Sequence, residues 1–466
     1  ATLFFIFSLW LYVNSRLAIK KEKKHALAAG CILAALLSLG TKEIAATLPF
    51  FIFLYEWYFF QDLSRDWLKR YRLGFAGLTA LTVLAALIYL GHDPLGRLLA
   101  GYNYHDFTVI QRLLTEFRVV VFYLSLLVWP HPSRLNLDHD FALSRSLVDP
   151  LSTLLSIGAV AGLVGLAIYT ARRQRLLSYT ILWFLGNLVI ESSIIGLEII
   201  FEHRTYLPSM LAVMMAVTVI YNQIKPPWIA TAILCGVAVV GSFWTYERNR
   251  VWVDAVTLWQ DCAAKSPRKA RPHNNLGSAL ADQERIDAAI DQFYTALKLK
   301  PDYEDAHYNL GYALIRRGEL EAGQHHLFEA LRLDPQNYLA HNNLGVAYWG
   351  QGHLQAAVHH FQQALRIKPD FAIAHNNLGS VVSRLGDSSK AIHHFSEAVR
   401  LDPQYAQAHN NLGVALGRQG LLEAAREHFA KAVRIAPGNA EAQRNLDQIR
   451  KQLERASAPA KKGVTP

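Results

Sequence analysis

Four polar side chains interrupt the apolar stretch 177–204: Asn187, Glu191, Glu198 and Glu202, spaced by 4, 7 and 4 residues. On a helix turning about 100° per residue they fall within about 60° of one another. One face then carries an amide and three carboxylates, two or three of them at membrane depth. Ionised carboxylates are costly inside a bilayer and mark cavities that handle protons, ions or substrate. As acids or bases, Glu191, Glu198 and Glu202 suit proton transfer in a group-transfer reaction. The bland alternative is that they pair with Arg or Lys of neighbouring helices and hold a bundle together.

Such a stripe needs membrane helices around it, and the first half of the chain offers them. The 466 residues are 52% hydrophobic with a formal net charge of +10. The long apolar runs all lie in residues 1–245, at roughly 3–15, 26–40, 47–61, 73–91, 113–130, 151–170, 177–198, 207–221 and 227–245. A span needs about 20 residues, so the shorter runs need their flanks or form broken helices. The positive excess fits cytoplasmic loops of a membrane protein better than nucleic-acid binding, and no nucleic-acid motif is present. Three basic clusters, around Arg16–Lys24, Arg65–Arg72 and Arg172–Arg175, set the orientation. With all three on the cytoplasmic side, 113–130 is no simple crossing. It reads as re-entrant or interfacial, with Arg112 and Arg118 on a polar side. Cys31 and Cys235 fall in apolar runs and read as small buried hydrophobes. Gly158 and Gly162 form a Gly-x-x-x-Gly that close helix packing explains. The chain starts at Ala1 inside an apolar run and is expected to lack upstream spans.

The second half is periodic. Pro267, Pro301, Pro335, Pro369, Pro403 and Pro437 lie 34 residues apart, and Leu-Gly pairs from Leu276-Gly277 to Leu412-Gly413 keep the same step. A 34-residue period is the signature of the tetratricopeptide helix pair. Five repeats are expected over 270–439, preceded by a connecting helix in 246–269. A polar capping helix at 440–455 and a disordered tail at 456–466 should follow. Small residues such as Ala289 and Ala357 mark close helix contacts, with Gly323 in the second repeat. Phe293, Phe361, Phe395 and Phe429 recur four positions on, with Leu327 in the second. The fold class expected is therefore all-α: a polytopic transmembrane bundle followed by a tetratricopeptide-repeat solenoid.

Two periodic ladders could bind something. Asn275, Asn309, Asn343, Asn377 and Asn411 share one repeat position. An amide both donates and accepts, so a ladder of them can hold an extended peptide without reading its side chains; equally, each can brace the next repeat. His273, His307, His341, His375 and His409 form a second ladder, with His pairs at 325/326, 359/360 and 393/394. Repeat duplication accounts for these His, and no metal site is expected.

Two short stretches carry a resemblance. One reads Gly40-Thr41-Lys42-Glu43-Ile44 followed by Ala45-Ala46-Thr47-Leu48-Pro49, the other Glu202-His203-Arg204-Thr205-Tyr206-Leu207-Pro208-Ser209. With the apolar layout and the repeats, they resemble the transmembrane and tetratricopeptide-repeat protein O-mannosyltransferases and their bacterial relatives, enzymes of the C-type glycosyltransferase fold. His203 departs from the family pattern, where Arg follows Glu directly. The Asn ladder is similar to that lining the concave groove of O-linked N-acetylglucosamine transferase.

The resemblance implies a membrane enzyme that moves a sugar from a polyprenyl-phosphate donor to a protein acceptor held in the repeat groove. The chemistry of such a transfer makes Lys42, His203 and Arg204 the candidates for the donor phosphate, with Glu43 and Glu202 to orient them or contact the acceptor, and Glu191 and Glu198 of the stripe complete the catalytic candidates; equally, Glu202 and Arg204 can be interfacial anchors, with Pro208 starting the next helix. The family's acidic pair in the first external loop has no counterpart here, which fits an N-terminally truncated chain. Membrane lipid and an acceptor protein are the implied partners, with no other cofactor. The repeats would face the periplasm of a bacterium or the lumen of the endoplasmic reticulum. A non-catalytic membrane scaffold for envelope assembly is the main rival; an oligosaccharide ligase or polymerase is a third reading.

Overall fold

The computed structural model describes residues 2–41, 43–93, 96, 99, 107–189, 200 and 205–457. Its contacts divide into two compact units, Ala1–Val253 and Asp254–Pro466. Helices and no strand occur among the described residues, so the fold is all-α.

In the first unit, α1 (Thr2–Leu17) packs along α2 (Lys21–Leu39). A short 3-10 turn at Glu43–Thr47 leads into α3 (Leu48–Tyr55), which carries Pro49 in its first turn, where no backbone donor is needed. The helix α4 (Arg65–Leu90) starts at Ser64, whose Oγ accepts from the Trp67 amide at 3.2 Å. A capping box between Thr108 and Gln111 opens α5 (Val109–Val128). The remaining helices are α6 (Ser152–Thr170), α7 (Arg175–Leu188), α8 (Tyr206–Gln223) and α9 (Pro227–Arg250). Phe5, Leu48, Phe51, Tyr179, Trp183 and Leu207 form one buried core. Val119, Tyr123, Phe184, Leu188 and Ile200 form a second.

Among the described residues, two helices, α6 and α9, are long and apolar enough to cross a membrane. Only 6% of the most apolar window of α9 is buried, and Trp228, Val237, Val239 and Phe243 on it are exposed. Three expectations change here. Cys235 is exposed on α9 rather than buried, because little of that helix is covered by the rest of the unit. Arg112 does not lie on a wet polar side of α5: it is fully buried, because Glu116 one turn on gives it an ion pair at 3.1 Å. And a Cβ on Gly158 or Gly162 would meet nothing within 4 Å, so among the described residues that pair marks no close helix contact.

The second unit is a stack of helix pairs. The segment 246–269 is shared between the end of α9 and α10 (Ala255–Lys265), whose first turn is capped by Asp254 accepting from Thr257 at 2.9 Å. Five pairs follow, each a helix A and a helix B: Ala270–Asp282 with Ile286–Leu299, Glu304–Arg317 with Leu320–Leu333, Tyr338–Gly350 with Leu354–Ile367, Ala372–Arg384 with Ser388–Leu401, and Ala406–Arg418 with Leu422–Ile435. A final helix spans Ala440–Ser457.

The Leu-Gly signature has a steric cause. A Cβ at Gly277, Gly345, Gly379 or Gly413 would stand 2.6–2.8 Å from the ring of Phe293, Phe361, Phe395 or Phe429 on the following helix B. In the second repeat Gly311 faces Leu327 and the backbone of Gly323, so Gly, Gly and Leu stand where the other repeats keep Gly, Ala and Phe. The A-to-B turns need a left-handed residue. Gly318, Gly352, Gly386 and Gly420 supply it at φ of 80–92°, and Glu284 must adopt φ 61° in the first repeat.

Candidate functional site

The described part of the first unit joins the stretches that the sequence singled out. Asn187, on the last turn of α7, is fully buried. Its Oδ1 accepts from Thr47 Oγ1 at 3.1 Å, and its Nδ2 donates to the Trp183 carbonyl at 2.9 Å. One turn back, Trp183 Nε1 donates to the Leu207 carbonyl at 2.8 Å. Thr47 belongs to the Lys-Glu…Thr-Leu-Pro stretch, Trp183 and Asn187 to α7, where the polar series that begins at Asn187 starts, and Leu207 to the Tyr-Leu-Pro-Ser stretch. A Cβ at Gly186 would lie 2.8 Å from Phe51 Cζ, so a glycine lets α7 close on α3 here. Three segments distant in sequence meet through buried hydrogen bonds, which are strong where water cannot compete.

Glu191, Glu198, Glu202, His203, Arg204 and Lys42 lie outside the described residues. Glu43 begins the 3-10 turn, and its side chain also lies outside them. Of the original stripe, Asn187 is therefore the member whose surroundings are known.

A second polar centre was not singled out from the sequence. Arg112 and Glu116 on α5 form an ion pair with side chains 0% and 4% exposed. Thr115 Oγ1 donates to the Gln111 carbonyl at 2.6 Å and accepts from the Ser144 amide at 2.8 Å. Ser144 Oγ accepts in turn from Thr153 Oγ1 at 2.8 Å. Arg118 Nη1 donates to the Ala142 carbonyl at 2.6 Å and sits over Phe141. The loop between α5 and α6 is thus tied down by polar side chains, with Asn136 and Asp138 buried in it. The i,i+4 spacing of Arg112 and Glu116 in an apolar run was the available signal. Another buried carboxylate, Glu56, is held by Tyr12 at 2.6 Å, by two nitrogens of Arg16 at 2.9 and 3.0 Å, and by Gln61 at 2.6 Å. Four donors leave it a structural role.

In the second unit the Asn ladder bonds across repeats. Asn309 Nδ2 donates to Asn274 Oδ1 at 3.0 Å, Asn377 to Asn342 at 3.1 Å, and Asn411 to Asn376 at 2.9 Å. Asn343 reaches the Tyr308 hydroxyl at 3.4 Å, and Asn445 of the last helix continues the series to Asn410 at 2.9 Å. Asn309, Asn377 and Asn411 are half-buried, each over a buried Asn of the preceding repeat, whereas Asn343 meets the half-buried Tyr308. Bracing therefore takes one amide proton of each of Asn343, Asn377 and Asn411 and leaves a second for a ligand, whereas Asn309 also donates to Ser278 Oγ at 3.3 Å. The partner row, Asn274, Tyr308, Asn342, Asn376 and Asn410, buried except at the half-buried Tyr308, was not picked out from the sequence, although its period was visible.

The His ladder is also paired. His307, His341, His375 and His409 on helix A face His326, His360, His394 and His428 on helix B, with Nδ1···Nδ1 distances of 3.1, 3.2, 3.1 and 2.9 Å. In the first repeat His273 Nδ1 faces Gln292 Oε1 at 2.8 Å instead. Burial, then the partner imidazole, lowers the helix B histidines His326, His360, His394 and His428 to a pKa of about 4. Burial likewise lowers His341, His375 and His409.

Family models described as tetratricopeptide repeat or TPR repeat match residues 277–318, 308–372, 344–387 and 376–440. Residues 277–440 are a tetratricopeptide-repeat array. This array is an α-solenoid. Solved structures similar to it include YrrB, described as a TPR protein with an unusual peptide-binding site, at 22% identity over 41% of this chain and 98% of that one, with a TM-score of 0.33. TTC0263, described as a thermophilic TPR protein of Thermus thermophilus, is 24% identical over 39% and 99% of the two chains, with a TM-score of 0.35. The pilF protein of Pseudomonas aeruginosa is 18% identical over 41% and 93%, with a TM-score of 0.36. No curated protein matches the chain.

Proposed function

We propose that the chain is an integral membrane protein of glycosyltransferase type that moves a sugar from a polyprenyl-phosphate donor to a protein presented by its tetratricopeptide-repeat array. The observation that carries this reading is the buried Thr47–Asn187–Trp183–Leu207 junction. Through it, the described ends of both resemblance motifs and the start of the carboxylate stripe meet at one place. A transferase needs such convergence, because the acid–base group and the cations for the leaving phosphate must sit within a few ångströms of each other.

In this reading Lys42, His203 and Arg204 meet the donor phosphate, and Glu43, Glu191, Glu198 and Glu202 serve as acid–base or acceptor-contacting groups. The bilayer covers the exposed apolar faces of α6 and α9. Trp228 lies 16 residues before Trp244 on α9, about 24 Å along a helix, and aromatic side chains favour both edges of the hydrocarbon layer. The array lies on the periplasmic or luminal side and holds the acceptor, the Asn ladder offering its remaining donors to peptide backbone.

The test is transfer of labelled sugar from a polyprenyl-phosphate donor by membranes carrying the protein. Arg204→Ala should abolish transfer at unchanged expression; undiminished transfer would remove Arg204 from the site. The scaffold reading predicts the opposite pattern: no transfer by any variant, with all partner binding kept when the membrane residues are changed.

A further inference from the structure

Three of the four facing histidine pairs have a defined proton inventory. His307 Nε2 lies 2.9 Å from the Pro301 carbonyl, His375 Nε2 3.1 Å from that of Pro369, and His409 Nε2 3.3 Å from that of Pro403. A carbonyl only accepts, so in these three pairs the helix A histidine carries its proton on Nε2. When that ring is neutral, its Nδ1 is a bare lone pair. The hydrogen bond across the pair then requires the helix B histidine to carry its proton on Nδ1 and to leave its own Nε2 bare.

One added proton is tolerated. It enters on the helix B Nε2, and the Nδ1–H···Nδ1 bond survives. A second must go onto the helix A Nδ1, and two N–H groups then face each other between like charges about 3 Å apart. We propose that these pairs make the array a proton-binding element: each pair takes up one proton with helices A and B closed, and a second only by opening that helix contact.

The surroundings of each pair are specific. His325 and Glu329 act on the 307/326 pair, with the Tyr294 ring of the preceding repeat against His326. His359 and Arg366 act on 341/360, with the rings of Tyr348 and Phe328 against His360. The 375/394 pair meets His393, Glu397, Lys390 and Arg400. The 409/428 pair meets Asp402, Glu427 and Lys431. Cations and further imidazoles dominate around 341/360, so proton uptake by that closed pair is the most opposed and its contact should be the first that acid destabilises. Carboxylates partly offset the charge at the other three.

The direction of the pH effect follows from the lowered helix B histidines. Above about pH 6.5 these groups are neutral in folded and unfolded chain alike. Between about 6.5 and the folded value of about 4, the unfolded chain binds more protons. The stability of the array is therefore complete above that window and lost as pH falls through it.

The first repeat supplies the control substitution, because Gln292 occupies the helix B position there. A glutamine amide can turn to present either its oxygen or its nitrogen, so it pairs with either state of the helix A histidine. The full chain in detergent is followed by hydrogen exchange of array amides, corrected for intrinsic rates, from pH 7.5 to 3.5. The wild type should lose protection between about pH 5 and 4. His326→Gln, His360→Gln, His394→Gln and His428→Gln together should shift that loss down by about one pH unit and make it less steep. Loss of protection at the same pH in both proteins would overturn the proposal. If the fourfold variant does not fold, ring nitrogen NMR of the wild type at pH 7.5 decides: the proposal requires an Nδ1–H tautomer at His326, His394 and His428. Three Nε2–H tautomers there would refute it.

Discussion

Gly345→Ala tests the packing that gives the array its period. The added Cβ would stand 2.6, 2.7 and 2.9 Å from Cε1, Cδ1 and Cζ of Phe361. Carbon atoms rest about 3.5–4.0 Å apart, so the ring must retreat by about 1 Å. Phe361 is fully buried beside Ala357, Leu378 and Val381, which leaves it nowhere to go without displacing the next repeat. Overpacking of this kind costs about 1–3 kcal/mol. Alanine recovers about 0.5–1 kcal/mol of helix propensity over glycine. Overpacking wins, and the net loss should be about 1–2 kcal/mol.

Because a solenoid couples mainly nearest neighbours, native-state hydrogen exchange should show protection falling about 5–30-fold in Tyr338–Gly350 and Leu354–Ile367, less in the flanking repeats, and not in the first unit. Phe361→Leu should be less damaging in the Gly345→Ala background than alone, since the smaller side chain makes room for the new methyl. Gly438→Ala, whose Cβ meets nothing within 4 Å, is the control and should be near neutral. If Gly345→Ala proves neutral or stabilising, the close approach of helix A to helix B is not what selects glycine in the repeat.

Two further substitutions follow from local geometry. Glu284→Gly removes a non-glycine residue from the left-handed turn at φ 61°; it should stabilise the first repeat by about 0.5–1 kcal/mol, read as a higher chemical-denaturation midpoint, and a lower midpoint would show that the Arg316–Glu284 pair matters more than the backbone. Arg112→Ala takes away the buried partner of Glu116 and should cost about 3–5 kcal/mol, whereas replacing both by Met and Leu should recover most of it; thermal unfolding in detergent that treats the single and the double variant alike would argue against a dominant ion pair.

How much of the fold is legible in the sequence depends on the range of the interactions that make it. The five helix pairs are legible because each 34-residue unit makes nearly all its contacts with itself and its neighbours, so Gly, Phe, Ala and Pro recur at fixed offsets and the pattern is the packing. The first unit has no such repetition. Its apolar runs are visible, but the burial of Arg112 is not, because a helix that carries Arg and Glu four residues apart looks the same whether that face meets water or a polar loop from further along the chain. The roles of the periodic polar residues are likewise undecided by their spacing. Asn309, Asn343, Asn377 and Asn411 recur as binding residues would, and only the geometry shows each reaching back to the preceding repeat.

The amino-acid sequence by itself determined the helical class, the register of the solenoid and the glycines that its helix contacts require, all consequences of short-range sterics. The tertiary structure alone decided the rest: that Thr47, Asn187, Trp183 and Leu207 share one buried junction, and that each of four histidines finds another about 3 Å away. Hydrogen bonds between distant segments have directions as well as partners, and direction exists only once the backbone is placed.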